Sequence, residues 1–326
     1  MLIINMAFNI HEEIRKNKKQ SNFIIFIFFL FVALVTVAVG VIISFWTTSG
    51  IDYKVIIISA VVGLFAAVLY LMTFMSNGDK WILSSTGAKP VARDHYPFLF
   101  HTVESLCLAG GMKTIPKCYV IQDSALNAYA TGFTPEKSYI VVTTGLMKKL
   151  NREELEGVIA HELSHIQNRD IKVMLLAAGL VGITVFISDI LLHMFWFGGN
   201  RSGGGGDSED NMLNWIMIGV AILLIILSPI VANMLKLAIS RTREYLADAS
   251  GAKLTRYPEG LASALEKISS DPDPLVDKAN KATAHLFIST PFRKRSGFMT
   301  GMFSTHPPIK ERIRILRGKS KTDKKK

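Results

Sequence analysis

The sequence predicts a mainly α-helical integral membrane protein that also carries an α+β domain. Four long apolar runs, two water-soluble segments beside them and one His-Glu-x-x-His pattern support this prediction. The chain has 326 residues, of which 49% are hydrophobic. Each apolar run exceeds the roughly 18 residues that mark a membrane-spanning helix. By length alone, the chain could hold one large domain or two moderate ones.

The predicted membrane spans are the apolar runs at residues 23–46, 55–75, 173–197 and 212–232. The first run is far longer than the roughly 7–15 apolar residues of a signal-peptide core. No small-residue cleavage site follows it, so we expect an uncleaved anchor. Asp189 and His193 weaken the third run. A carboxylate late in a span is tolerated at the membrane interface, and the alternative is a re-entrant hairpin that never fully crosses.

Basic residues predict how these spans are oriented. Four Lys or Arg residues lie at positions 15–19, whereas the loop between the first two spans carries only Asp52 and Lys54. By the positive-inside rule, the N-terminal segment 1–22 lies in the cytoplasm, as does the Lys- and Arg-rich chain after Ser240. The predicted location is therefore the cell membrane, with several passes and both termini in the cytoplasm.

Two water-soluble segments, residues 76–170 and 240–326, then lie on the same side and can fold together into one domain. Between the third and fourth spans lies the Gly-rich acidic segment 198–211. It does not fit a phosphate-binding loop, because no Gly-Lys-Ser/Thr follows the glycines. A flexible connector outside the cell is the prediction for this segment.

The chain has a net charge of +11, and its basic residues lie mainly beside the spans and in the tail "KSKTDKKK". That placement favours a solvated face or contact with anionic lipid. The chain carries no nucleic-acid-binding motif, so nucleic acid is not an expected partner. Cys107 and Cys118 have neither CxxC spacing nor companion histidines, so we expect both to be reduced and packed in the interior.

The strongest functional signal is "IAHELSHIQNRD", which contains His161, Glu162 and His165. Asn151 followed by Glu154 predicts a capping-box helix start. On that helix the two histidines share one side, and Glu162 falls within the apolar stripe. A buried carboxylate beside two imidazoles needs a partner. Zinc can bind both histidines while the glutamate acts as a general base; the alternative is a satisfied pair of surface histidines.

A third metal ligand is predicted in "SRTREYLADASG", directly after the fourth span. Glu244 and Asp248 are four residues apart there and share a helix face. Only about eight residues, or roughly 12 Å of helix, separate His165 from the third span. Both helices therefore emerge at the same membrane surface, which makes this segment the candidate source of the third ligand. The alternative is a surface pair of Glu244 with Arg241 or Arg243.

The chain resembles the HtpX-type membrane zinc metallopeptidases, relatives of the CAAX prenyl proteases within the gluzincin group. The resemblance covers nearly the whole chain, through the two leading spans, two further spans and the motifs "NAYATG", "VIAHELSHIQNRD", "SRTREYLADASGAKL" and "FSTHPPIKERIRIL". It implies a zincin-like α+β metallopeptidase domain on the cytoplasmic face.

The resemblance also implies roles for individual residues. His161, His165 and Glu244 would bind one Zn²⁺ per chain, and Glu162 would be the catalytic base. Asp248 would orient a ligand histidine through a hydrogen bond, which fixes the tautomer of the ring. Three protein ligands leave a fourth position for water, as in catalytic rather than structural zinc sites.

Two further features are candidates for functional roles. His306, in "STHPP", resembles a family position near the active site, and the alternative is a loop histidine before a rigid Pro-Pro turn. "NAYATG" followed by "SYIVVTTG" predicts strand, turn and strand. The resemblance implies that the first strand lies at a sheet edge and pairs with extended substrate. The implied substrate-binding residues are Asn127, Ala128, Tyr129 and Ala130, with a turn-flanking role as the alternative for the asparagine.

Taken together, these features predict a membrane-bound zinc endopeptidase that cuts misfolded or damaged membrane proteins at cytosolic segments. Its expected partners are the lipid bilayer and protein substrates. A prenyl-protein peptidase is the alternative among enzymes. A zinc-dependent membrane scaffold without turnover is the alternative from another class, but a structural site needs no base such as Glu162. The spans carry too few ionisable residues for a transporter.

Overall fold

The structure is a computed structural model. It describes residues 10–48, 50–180, 182–183, 219, 241–271, 286–288 and 307–318. Most of the predicted third and fourth spans, the Gly-rich segment and His306 lie outside the described residues. Two compact units divide the chain, the first formed by Met1–Gln20, Asn77–Leu175 and Ala238–Lys326, and the second by Ser21–Ser76 and Leu176–Leu237.

Two long helices carry the predicted first and second spans. They are α1 (Ile10–Thr48) and α2 (Tyr53–Ser85). Within the described residues, these are the two helices long and apolar enough to cross a membrane. Each is longer than its apolar run, because the polar residues on either side contain no proline that would end a helix.

The two long helices approach each other through small residues. A β carbon at Gly63 would overlap the side chain of Thr36, and one at Gly40 would lie 2.9 Å from the Ile56 backbone. Small residues at such crossings are typical of helices that pack within lipid. The outer side of α2 exposes large apolar side chains such as Phe65.

The first unit contains a four-stranded mixed sheet in the order β1-β2-β4-β3. Its strands are β1 (Lys89–Pro90), β2 (Lys117–Ile121), β3 (Ala128–Thr134) and β4 (Lys137–Thr143). β2 and β4 are parallel, and the other two pairs are antiparallel. The central strands are rich in buried β-branched and aromatic residues, as interior strands commonly are. β3 therefore lies at an edge, and the predicted strand-turn-strand is β3 and β4.

Among the residues that the structure describes, six helices with both ends defined accompany the sheet. They are α3 (Pro97–Ala109), α4 (Thr144–Lys149), α5 (Arg152–Gln167), α6 (Arg241–Thr255), α7 (Pro258–Ser270) and α8 (Ile309–Leu316). The predicted capping box is present: Asn151 accepts from the Glu154 backbone, and Glu154 accepts from the Asn151 backbone. Cys107 and Cys118 are free and buried, as predicted.

Glycines allow the neighbours of α5 to approach closely. A β carbon at Gly157 would lie 2.5 Å from the backbone nitrogen of Leu261 in α7. One at Gly251 in α6 would lie 3.0 Å from the backbone nitrogen of His161. The absence of side chains at both positions lets α6 and α7 pack against the helix that carries the His-Glu-x-x-His pattern.

Candidate metal centre and active site

Two helices, α5 and α6, bring three buried donor groups together. His161, His165 and Glu244 offer ligand atoms that all lie within 4.8 Å of one another. The two histidine Nε2 atoms are 3.2 Å apart. Glu244 lies 3.8 Å from His161 Nε2 and 3.6 Å from His165 Nε2, measured to its two carboxylate oxygens. These three residues form a group that could hold a metal ion.

The donor spacing suits a small tetrahedral ion. Bonds of about 2.0–2.1 Å at tetrahedral angles would place the ligand atoms about 3.3 Å apart. The two histidine Nε2 atoms, 3.2 Å apart, lie close to that value, and each lies 3.6–3.8 Å from a different oxygen of the Glu244 carboxylate. Two imidazole nitrogens and one carboxylate oxygen are also a donor set typical of catalytic zinc. The residues therefore fit the predicted cofactor.

Each histidine of the group also contacts a buried carboxylate through its other ring nitrogen. His161 Nδ1 lies 3.0 Å from Asp248 Oδ1, and His165 Nδ1 lies 3.1 Å from Asp170 Oδ2. Such contacts fix the ring orientation and leave the Nε2 atoms free to face a metal. Asp248 was expected beside a ligand histidine. Asp170 was not expected in that position.

Asp170 reaches His165 only because the helix breaks. In a continuous helix, residues five apart do not share a face. Here α5 ends at Gln167, and Arg169 adopts a positive φ of 58°, which turns the chain back. Burial lowers the pKa of His165, but the hydrogen bond to Asp170 and the charge of Glu244 outweigh it and raise the pKa to about 9.

Glu162 lies beside the donor group and is 2% exposed. Burial raises the pKa of its carboxyl group, although the two neighbouring histidines act in the opposite direction. The backbone of Ala130 in β3 faces this carboxylate and also acts to lower its pKa. The edge strand and the candidate base are therefore neighbours.

Arg312, on α8, belongs to a buried charge cluster with Asp248 and Glu244. Its role was not predicted from the sequence. Arg312 is 0% exposed and donates two hydrogen bonds to Asp248, of 2.8 and 2.7 Å. Its Nη1 lies 3.4 Å from Glu244 Oε2. Burial raises the pKa of Asp248, but Arg312 and His161 outweigh this effect and lower it.

A sequence signal for Arg312 did exist. Ile309 and Leu316 are three residues before it and four after it, which puts the arginine on the apolar face of α8. A charged residue on an apolar face indicates a buried partner. The identity of that partner, Asp248, could not be read from the pattern.

We expect Arg312→Met to lower the unfolding free energy of the metal-free protein by about 3–5 kcal/mol, because it leaves buried carboxylates without their cation. Denaturant titration in detergent would measure the change. The control is Arg314→Met on the same helix, where the partly exposed pair with Glu311 is expected to contribute about 0–1 kcal/mol. Equal losses in both variants would contradict the role given to Arg312.

The predicted substrate-binding residues occupy the start of β3. Asn127 is buried just before the strand, and its side chain accepts from the Ala128 backbone at 3.1 Å. The side chain of Tyr129 belongs to the core, because its hydroxyl lies 2.6 Å from Thr86 Oγ1 and its ring packs on Phe287. A contact between this strand and a substrate would therefore use the backbone.

One part of the β3 edge is occupied by the chain itself. The backbone N–H of Ile288 donates to the carbonyl oxygen of Ala128 at 2.9 Å. Residues 286–288 are all buried. Two residues further along the strand, the backbone of Ala130 faces Glu162. Ile288 therefore borders the part of the edge that lies next to the candidate base.

The fold and the three-donor group, with two donors on a His-Glu-x-x-His helix and the third on α6, define a metallopeptidase. Residues 99–320 match the model of peptidase family M48. The chain belongs to this family, which confirms the resemblance stated from the motifs.

The chain is similar to proteins named Protease HtpX homolog. That of Dictyoglomus turgidum is 43% identical and that of Listeria monocytogenes serotype 4a 39% identical; the match covers 94–95% of this chain and 95–98% of each relative. A structural match to S. mikatae Ste24p has a TM-score of 0.44 and 23% identity. It covers 77% of this chain and spans 58% of that one.

Proposed function

We propose that the protein is a membrane-bound zinc endopeptidase with His161, His165 and Glu244 as metal ligands and Glu162 as general base. The observation that carries this proposal is the convergence of three buried donors on one point with a buried carboxylate beside them. A closed structural zinc site would not need that carboxylate.

Zinc, when bound, would supply Lewis acidity and a water that ionises near neutral pH. The proton transfers would be carried out by a residue of the chain. Glu162 would accept a proton from the attacking water and deliver it to the leaving amine. The burial of Glu162 beside the donor group supports this role, because a general base must lie within hydrogen-bonding reach of the water that it deprotonates.

Substrate would bind as an added strand along the part of the β3 edge beside Ala130. Main-chain hydrogen bonds hold an extended peptide without reading its sequence. The contact between Ala130 and Glu162 supports this position, since a peptide on that edge would pass the base. The proposal includes Asn127 as a substrate contact and His306 as a donor to the developing oxyanion.

The proposed setting is the cell membrane. The apolar character of α1 and α2 and the basic residues beside the spans support a multi-pass protein with the metal centre and both termini in the cytoplasm. In this arrangement residues 76–170 and 240–326 form the peptidase domain. Misfolded or damaged membrane proteins with exposed cytosolic segments are the proposed substrates.

Metal removal and restoration test this function. Purified full-length protein in detergent should cleave an unfolded reporter protein, lose turnover when dialysed against a chelator, and regain it when one equivalent of zinc is added. Fragment mass spectrometry would distinguish internal cleavage from trimming at the ends. Zinc binding without any cleavage of unfolded or membrane-derived reporters would instead support a non-catalytic scaffold.

Thiol labelling tests the topology. In a variant with Cys107 and Cys118 replaced by alanine, single cysteines at Ser202 or Ser208 should react with a membrane-impermeant reagent on intact cells. A cysteine at Ser320 should react only after lysis. Protection at Ser202 and Ser208 until lysis would favour a re-entrant hairpin, and labelling of Ser320 from outside would exclude both arrangements.

A further inference from the structure

We propose that Asn17, on the polar N-terminal part of α1, is a positioning residue for the metal ligand His165 and acts through Asp170. This inference rests on the proposed function, because it takes His165 to be a metal ligand. Asn17, which is far from the His-Glu-x-x-His pattern in sequence, would thus help to hold the metal centre in place.

The Asn17 side chain is 2% exposed, and both the nitrogen and the oxygen of its amide form hydrogen bonds. Its Nδ2 donates to Asp170 Oδ1 at 2.6 Å and to the backbone oxygen of Asn168 at 2.8 Å. Its Oδ1 accepts from Arg243 Nε at 3.1 Å. With two N–H donors and one oxygen engaged, the amide can adopt only one orientation here.

Asp170 connects this amide to the metal centre. It is 0% exposed, and its two oxygens have different partners: Oδ1 accepts from Asn17, while Oδ2 contacts His165 Nδ1 at 3.1 Å. The carboxylate cannot rotate without losing one of these contacts. The position of the Asn17 amide therefore controls the direction in which Asp170 faces the histidine.

Arg243 holds the same cluster from α6. Its guanidinium donates to the side chains of Asn17 and Gln20 and lies 3.9 Å from Asp170 Oδ1. Arg243 precedes the proposed ligand Glu244 in sequence. The cluster thus joins α1 to the segments that carry two of the three proposed ligands.

The surroundings of Asn17 in sequence indicate a specific role for this residue. Lys16, Lys18 and Lys19 beside it are exposed, while Asn17 alone among positions 15–19 is buried. A buried polar side chain is stable only when its donors and acceptors are hydrogen-bonded. Groups that orient a ligand histidine commonly change metal affinity about 10–100-fold when they are removed.

Asn17→Asp is the direct test, because it keeps the side-chain shape and replaces the donor that faces Asp170 with an acceptor. We expect zinc affinity of the full-length protein, measured by competition with a chromophoric chelator, to fall about 10-fold or more. The matched control is Asn151→Asp, which adds the same charge at a helix cap where aspartate serves equally well. The zinc affinity of this control should remain within about 2-fold of the wild-type value, since Asp and Asn are equivalent helix caps.

A paired exchange separates positioning from general stability. Asn17→Asp combined with Asp170→Asn restores a donor and an acceptor between the two positions, but His165 then faces an amide instead of a carboxylate. We expect the thermal midpoint of the metal-free protein to recover part of the loss caused by Asn17→Asp, while zinc affinity stays low. Recovery of zinc affinity together with the thermal midpoint would show that His165 does not need the carboxylate at position 170, which would overturn the inference.

The remaining outcomes are also decisive. Wild-type affinity in Asn17→Asp overturns the inference and leaves the proposed function intact. Failure of the wild-type protein to bind zinc overturns both. If Asn17→Asp does not fold, Asn17→Ala, which removes the donor without adding charge, should show the same loss of zinc affinity, and an unchanged affinity in that variant overturns the inference.

Discussion

Replacing Glu162 by glutamine is expected to reduce peptide turnover by about 10²–10⁴-fold, the contribution typical of a positioned acid-base group. The amide keeps the shape of the side chain but cannot accept the proton of the attacking water. Because Glu162 is proposed as a base and not as a ligand, zinc should stay near one ion per chain. Reporter digestion together with metal analysis of the same preparation would measure both quantities.

The control for this variant is Glu153→Gln, at an exposed position in the first turn of the same helix. It should digest the reporter at nearly the wild-type rate. Substantial turnover in Glu162→Gln would exclude the glutamate as base. Loss of zinc from that variant would make it a ligand instead.

Alanine at His161, His165 or Glu244 is expected to remove both the metal and the activity, because three protein ligands are the usual minimum for a catalytic zinc site. Asp248→Ala should be milder and weaken zinc affinity by about 10–100-fold, since Asp248 contacts the His161 ring and not the metal position. Chelator competition on the purified variants would rank the four affinities.

Glu136→Ala, at an exposed position, is the control for these ligand variants and should bind zinc like the wild type. Full zinc retention in Glu244→Ala would exclude Glu244 as the third ligand. An Asp248→Ala variant that loses zinc as completely as the histidine variants would place Asp248 in direct contact with the metal.

Patterns that extend over a few residues were predictable. The capping box of Asn151 and Glu154, the shared face of His161 and His165, and the strand pair around "NAYATG" all depend on backbone periods of a few residues. The structure contains each of them. The pairing of Glu244 with the histidine helix was also predicted, because both segments were expected to leave the membrane at one surface.

Groups that complete the site from a distance were not predictable. Asp170 follows His165 by five residues, and only the positive φ at Arg169 brings it back to the ring. Asp170 is in turn held by Asn17, 153 positions earlier in the chain. No periodic pattern in the sequence predicts either contact, because each depends on where the chain turns and on which helices pack together.

The sequence by itself determined the class of this protein: long apolar helices, a His-Glu-x-x-His helix, and an acidic third donor on a second helix. These are local properties, set by hydrophobic periodicity and residue spacing. Only the tertiary structure decided that Arg312 neutralises Asp248, that Ala130 contacts Glu162, and that Asn17 supports Asp170. Such buried polar groups find partners wherever packing brings complementary atoms within hydrogen-bonding distance, and that distance is independent of separation along the chain.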